Sequence, residues 1–270
     1  MVWLDLPRVP EPEVMDDSDE VEAYSSAAAQ AYLDRIDDTF VEHAVRLVAG
    51  RSRGRALDIG TGPGQIVLKL ARRLPGWQFT GVDRSPNMIR KACCGVAGPS
   101  GQGFNRADDG GRDRPSGGRS FSSDMSAHEA GASTPEARVQ FFVADGNRLP
   151  FPSASFDLVM CNSVLHHLAQ PERLFAEVAR LAKPDGALLI RDLRRPSRLA
   201  YPLHVRWYGR HYTDLMYKLY CASVRSAYTV PELGELLRAS PLYGACPEQS
   251  RGARLFRHER THLGLERPVG

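Results

Sequence analysis

Leu57-Asp58-Ile59-Gly60-Thr61-Gly62-Pro63-Gly64 sets three glycines at alternate positions directly after a short apolar run. Glycines in a strand-to-helix turn let the backbone approach a ligand closely, and the helix that follows offers unpaired N–H groups to an anion. A nicotinamide or flavin site needs Gly or Ala as the sixth residue of its fingerprint. Counted from Gly60 the sixth residue is Gln65, and counted from Gly62 it is Val67, so the dinucleotide spacing fails in both registers. Asp83 ends the run Thr80-Gly81-Val82-Asp83, about twenty residues beyond the glycines, where a carboxylate can accept both hydroxyls of a ribose. The competing role, capping the next helix, fits Ser85 better. His166 and His167 are candidate general bases, since a hydroxyl or an acidic carbon must lose a proton before it accepts a new group. Their alternative is structural, with one ring packed in a helix start and the other solvated.

These residues need elements to hold them. The segment 1–18 is Pro-rich and acidic and reads as an irregular lead-in. From Asp19 to Ala49 the pattern is helical, with Tyr32, Ile36, Phe40, Ala44 and Leu47 at spacings of three and four. Arg55–Gly60 reads as a strand, Gln65–Leu74 as a helix stopped by Pro75-Gly76, and Gln78–Asp83 as a second strand. Ser85-Pro86 opens a helix through Cys94. Val139–Ala144 and Phe156–Asn162 read as buried strands, Pro171–Leu181 as a helix, Lys183–Gly186 as a turn, Ala187–Asp192 as a fifth strand and Pro231–Ala239 as a helix. This alternation predicts an α/β fold with a parallel sheet covered on both faces. Residues 95–138 are more than a third Gly and Ser and are expected to form a disordered insertion.

Pro196–Tyr228 is aromatic, basic and helical in period, and two readings of it stand side by side. It is a lid that selects the acceptor, with Tyr201, Trp207, Tyr208, Tyr212, Tyr217 and Tyr220 among Arg206, Arg210 and His211, or a helix pair whose aromatics seal the sheet edge.

The chain has 270 residues with 42% hydrophobic and 25% charged side chains, an ordinary globular composition. A net charge of +3 does not by itself call for a nucleic acid or a membrane. The five cysteines, Cys93, Cys94, Cys161, Cys221 and Cys246, lack the spacing of a disulfide framework or a metal site, and no metal is expected. The first residues lack a signal-peptide pattern and no apolar run approaches the roughly 20 residues that span a bilayer, so the expected location is the cytoplasm.

Together these motifs resemble the class I S-adenosylmethionine-dependent methyltransferases, in particular the small-molecule branch with the ubiquinone and menaquinone C-methyltransferases. Leu57–Gly64 resembles the first motif of that family and Gly81–Ile89 the second. Ala144–Pro152 is similar to the third, Phe156–His167 to the fourth, and Leu181–Gly186 to the turn before strand five. The resemblance, which runs from about residue 50 to 193, implies a doubly wound, mostly parallel, seven-stranded Rossmann-like sheet, to which the residue pattern adds an N-terminal helix and, from composition and position, a helical lid. The chain is expected to divide into a lead-in and helix at 1–49, a methyltransferase domain at 50–260 with the insertion at 95–138 and the lid at 196–228, and a tail at 261–270. The resemblance carries a cofactor with it. It implies S-adenosylmethionine as cofactor, held by Asp58, Gly60, Thr61, Gly62, Gly64, Asp83, Arg84, Asp145, Gly146 and Asn162. Asp145 and Gly146 fall to the adenine, Asn162 to the floor under the sulfonium, and a small molecule with a carbon, oxygen or nitrogen nucleophile is the acceptor.

Two rivals stay open. A nucleic-acid methyltransferase is favoured only by Arg191, Arg194, Arg195 and Arg198, a run that also reads as a solvated face, while Asn162-Ser163-Val164-Leu165 lacks the Pro-Pro-aromatic sequence of base-amino methylation. A silent cofactor-binding protein that acts through partners would carry the same binding motifs without turnover.

Overall fold

In the computed structural model, residues 5–11, 19, 27–97, 138–212, 214–243, 252–258 and 260–270 are described. Residues 98–137 of the expected insertion and Cys246 lie outside them. The order is α1 (Ala27–Leu47), β1 (Gly54–Ile59), α2 (Gln65–Arg73), β2 (Trp77–Asp83), α3 (Pro86–Ala97), β3 (Arg138–Val143), β4 (Phe156–Asn162), a 3-10 turn (Leu165–His167), α4 (Pro171–Leu181) and β5 (Ala182–Leu193). Then come α5 (Tyr201–Tyr208), a 3-10 turn (Gly209–His211), α6 (Asp214–Ser226), α7 (Val230–Arg238), β6 (Arg254–His258) and β7 (His262–Arg267).

The seven strands are ordered β3-β2-β1-β4-β5-β7-β6. All pairs are parallel from β3 to β5, and β7 is antiparallel to both β5 and β6. This is the doubly wound α/β sheet expected from the sequence. The order in which strands are added reverses at β1, with β2 and β3 on one side and β4 and β5 on the other, which places the carboxyl ends of β1, β2 and β4 around one crevice.

Each sheet face carries its own core. Leu57, Ile59, Val159, Cys161, Leu188 and Ile190 pack against Leu174, Phe175 and Val178 of α4 and Leu233 and Leu237 of α7. Ala56, Leu158, Met160, Ala187 and Leu189 pack against Phe40, Val41 and Ala44 of α1 and Val67 and Leu70 of α2. The alternation along β4 and β5 is that of strands buried on both sides.

Four local expectations differ from the structure. β3 is an edge strand, with Phe142 and Val143 about half exposed rather than buried; the apolar run alone does not say which strand is outermost. Lys183–Gly186 is not a separate turn but lies within β5, where the register with β4 shifts between Phe156 and Leu158. Residues 5–11 have no helix or strand, yet they are docked: Leu6 is buried, and Arg8 donates to Ser226 O (2.6 Å), His166 O (3.1 Å) and Leu168 O (3.3 Å).

The fourth concerns residues 261–270, expected as a tail, which contain β7. Leu263 and Leu265 are buried, and Gly264 lies so close to β5 that a Cβ there would meet Ile190 O at 2.0 Å. His-Leu-Gly-Leu-Glu-Arg has too few β-branched or aromatic residues to announce a strand, and its place between β5 and β6 is set by pairing with both. Ending the chain at Arg260 should therefore unfold the protein rather than trim it. It removes two buried leucines worth about 1.5–3 kcal/mol each and strands β6 without a neighbour. Urea unfolding followed by circular dichroism should show no cooperative transition, and an unchanged midpoint would make the segment dispensable.

Candidate functional site

The crevice holds a cavity of about 220 Å³ lined by residues at the carboxyl ends of β1 to β4 and by helical residues that close over them. Of the sequence-predicted residues, Gly60, Gly62, Asp83, Arg84, Asp145, Gly146, Asn162, His166 and His167 line it. Asp58, Thr61 and Gly64 do not; they build its wall from behind.

The glycine turn is shaped by contacts that no other residue type permits. Gly60, at φ +73°, donates to Val82 O (2.8 Å), and a Cβ there would meet Val164 Cγ2 at 2.2 Å. Gly64, at φ +79°, begins α2, and its added Cβ would meet the Phe141 ring at 2.6 Å. Gly62, at φ +53°, has open space where a Cβ would stand, on the cavity side. Its N–H donates to Asp83 Oδ2 (2.8 Å), while Ser85 N donates to Asp83 Oδ1 (2.9 Å). Asp83 thus ties the end of β2 to the turn after β1, with one accepting site on each oxygen still to offer. Burial raises its pKa against the amides of Ser85, Gly62 and Arg84. Ser85 does cap α3, since its Oγ accepts from Met88 N (3.1 Å).

Asp58 is the electrostatic anomaly of the site. It is buried, and neither carboxylate oxygen has a well-formed hydrogen bond; the Thr61 hydroxyl beside it is likewise unsatisfied. Burial pushes its pKa up to about 7, offset only in part by Thr61. Asp145 Oδ1 accepts from the amide (2.9 Å) and side chain (3.0 Å) of Asn147, and Gly146 packs where a Cβ would meet Ile59 Cγ2 at 2.7 Å. Asn162 Oδ1 accepts from Arg191 Nε (2.9 Å). Ser163 then takes a left-handed turn at φ 59°, which sends the chain straight into the 3-10 turn bearing both histidines.

His166 is buried against Asp192. Its amide donates to Asp192 Oδ2 (3.0 Å) and its Nδ1 contacts Asp192 Oδ1 (2.5 Å). Burial works to raise Asp192, and the His166 ring with the amides of His166 and Leu193 outweighs it, so Asp192 stays below the usual carboxylate range. Glu11, from the docked lead-in, reaches His167 Nδ1 at 2.9 Å and His166 Nε2 at 3.4 Å. These three residues bring their ligand atoms within 4.8 Å of one another, spacings that ion pairing accounts for.

Several site residues gave no readable signal. Arg191 is 1% exposed. Besides Asn162 it donates to Thr39 Oγ1 (2.8 Å) and Ile36 O (3.0 Å) of α1 and stacks over Phe40. Arg195 is also buried and paired with Glu232, and Arg194 donates to Arg260 O (2.8 Å). The solvated basic face expected from this run is therefore not formed: two of its four guanidinium groups are interior. Leu33, Ile36 and Asp37 of α1 close one side of the cavity, and burial lifts Asp37 to about 6. His262 of β7 also lines it, held down at about 3 by burial and by Arg191. Charge and imidazole arriving from residues 11, 37 and 262 have no spacing in the sequence to betray them. The aromatic segment supplies Tyr208, Tyr212, Met216, Leu219, Tyr220 and Ser223. Tyr201 instead donates to Cys221 O (3.2 Å) within the helix pair, and Trp207 faces outward.

A family model described as a methyltransferase domain matches residues 32–240. The chain belongs to the methyltransferase-domain family. A demethylmenaquinone methyltransferase of Deinococcus radiodurans is 26% identical over 157 residues, 58% of this chain and 50% of its own length. A ubiquinone/menaquinone biosynthesis C-methyltransferase of Desulfotalea psychrophila is 27% identical over 170 residues, 63% of this chain and 53% of its own. The chain spans about half the length of these curated relatives. Among solved structures, a putative S-adenosylmethionine-dependent methyltransferase of Methanococcus maripaludis shares the fold, with TM-score 0.58 and 14% identity over 97% of this chain and 98% of that one. The family resemblance read from the motifs is borne out.

The Asp58 anomaly has a measurable consequence. Unfolded Asp58 ionises near 3.8 and folded Asp58 near 7, so between them only the unfolded chain has lost the proton. Stability conferred by this group therefore falls as pH rises from about 4 to about 7 and is level above that, a span of about 4 kcal/mol. Asp58→Asn should remove that slope. The change in urea-unfolding free energy between about pH 5 and about pH 8 should differ from the parent's by about 2–3 kcal/mol. An identical pH dependence would place an ionised, hydrogen-bonded carboxylate there instead.

Proposed function

We propose that this protein transfers a methyl group from S-adenosylmethionine to a small-molecule acceptor by in-line displacement. The observation that carries the reading is the unsatisfied, buried Asp58 carboxylate behind a glycine turn that opens on the same cavity as Asp83. An anion without a partner is costly unless a cation completes it, and an amino acid ammonium group reaching the Gly60–Gly62 turn is such a cation. Asp83 has accepting capacity for ribose hydroxyls, and Asp145 with the Gly146 amide for an adenine edge. The residues present thus fit the cofactor, and its sulfonium supplies an already activated methyl group.

The work left to the protein is orientation, exclusion of water and removal of a proton. Leu33 and Ile36 of α1, with Tyr208, Tyr212 and Tyr220, wall the acceptor side; on this reading Pro196–Tyr228 is a lid. His166 is the candidate base. When its Nδ1–H donates to Asp192, Nε2 is the atom left to take the acceptor's proton, with Glu11 Oε1, 3.4 Å away, placed to hold the imidazolium that results, and Asp192 is a positioning residue that fixes this tautomer. His262, neutral through the working range, adds polarity without charge. The names of the demethylmenaquinone and C-methyltransferase relatives support a carbon acceptor, and because a ring carbon is a nucleophile only when the quinone is reduced, demethylmenaquinol is the first one to test.

Calorimetry with S-adenosylmethionine tests the cofactor site. Asp83→Ala should weaken binding ten- to hundredfold, the loss of about 1.5–3 kcal/mol for a hydrogen-bonded carboxylate, and unchanged affinity would put the ribose elsewhere. Methyl transfer is measured with methyl-labelled cofactor and a panel of carbon, oxygen and nitrogen nucleophiles headed by demethylmenaquinol. His166→Asn and Asp192→Asn should each lower kcat by about 10²–10⁴ and flatten the acidic limb of the pH–rate profile, with cofactor affinity within about threefold. Tight binding with no transfer to any acceptor would favour the silent-binding alternative.

A further inference from the structure

Leu199, Leu203 and Trp207 are 76%, 70% and 59% exposed. Spaced four apart, they lie along one side of α5 and the turn leading into it. The same helix turns His204 and Val205 inward and gives Tyr208 to the cavity. Three large apolar side chains in line on one solvent-facing stripe are unusual for an isolated soluble surface. Their surroundings are as distinctive. Residues 193–213 contain Arg194, Arg195, Arg198, Arg206 and Arg210 and no Asp or Glu. Arg198, Arg206 and Arg210 are exposed beside the stripe, and the Arg210 guanidinium lies over the Trp207 ring, 4.7 Å from its centroid.

We propose that this face of α5 docks the protein on the surface of an anionic phospholipid bilayer. Leu199, Leu203 and Trp207 would enter the boundary between headgroups and acyl chains, while the arginines meet lipid phosphates and keep their stems along the apolar surface. Among the described residues no helix is long and apolar enough to cross a membrane, so the attachment is peripheral. The chemistry separates this partner from its competitors. A nucleic acid would use the arginines and could stack a base on Trp207, but it offers nothing to Leu199 and Leu203. A second copy in a two-fold contact would bring the same arginines face to face. Docking here sets the lid wall of the cavity against the bilayer. The inference rests on surface chemistry alone and stands whether or not the proposed methyl transfer does.

Vesicle sedimentation of the full chain tests it, comparing vesicles of phosphatidylcholine with vesicles of equal parts phosphatidylcholine and phosphatidylglycerol. The parent should bind the anionic vesicles and be released by salt, with little binding to the neutral ones. Arg206→Gln with Arg210→Gln should weaken anionic binding about twenty-five-fold, at about fivefold per arginine. Leu203→Gln with Trp207→Gln should also reduce it, with the urea midpoint of both double variants unchanged, because none of the four side chains is buried. Binding that ignores lipid charge, or that survives the Leu203/Trp207 replacement, overturns the proposal. So does a dimer that this replacement converts to monomer, or a DNA duplex retarded by the arginines when no vesicle is bound.

Discussion

Two consecutive charges at the carboxyl end of β5 organise everything around the crevice. Side chains alternate across a strand, so Arg191 follows Ala187 and Leu189 onto the face covered by α1, and Asp192 follows Leu188 and Ile190 onto the other. Each is buried and could not be left bare. Arg191 satisfies itself on Thr39, Ile36 O and Asn162, which clamps α1 across the cavity and fixes the floor residue at once. Asp192 satisfies itself on the ring and amide of His166. Removing one partner of a buried charge typically costs about 3–5 kcal/mol, so neither face can relax without losing its half of the site.

The glycine turn is built on the opposite logic. Asp83 has each oxygen anchored by a backbone amide, Gly62 on one and Ser85 on the other, whereas Asp58 is left incomplete. A protein that only needed the chain to reverse after β1 would gain by putting an apolar residue at position 58. On the proposed reading, an acid retained there with its ionisation suppressed gives up its proton when the cationic ammonium group arrives. Function and stability pull apart at this residue, and the sheet around it supplies the difference.

The cover over the site comes from three distant parts of the chain. Residues 5–11 strap the loop carrying His166 to the end of α6 through Arg8. α1 is held by Arg191 on one side and, through His43, by Glu266 of β7 on the other (2.5 Å). The Tyr208–Tyr220 segment forms the third wall. Just before it, α5 turns Leu203 and Trp207 to solvent and Tyr208 to the cavity, which sets this helix between the cavity and whatever the outer stripe meets.

The sequence by itself determined the sheet's first five strands, the helices between them and most of the cavity lining at the strand ends. Those features are written in local chemistry: apolar runs of strand length, glycines where a positive φ or a close approach admits nothing larger, and carboxylates at strand ends. The family followed from the order of the motifs. What only the tertiary structure decided was pairing across long separations. Glu11 reaches His167, Asp192 reaches His166, Arg191 reaches α1, and His262-Leu263-Gly264-Leu265 slides between β5 and β6. None of these has a period or a spacing, since a buried charge is recognised by the partner that neutralises it and an inserted strand by the two edges that receive it. Arg191 and Arg195, which read as part of a solvated run, became interior for that reason: burial belongs to the packed neighbours, and the residue type does not carry it.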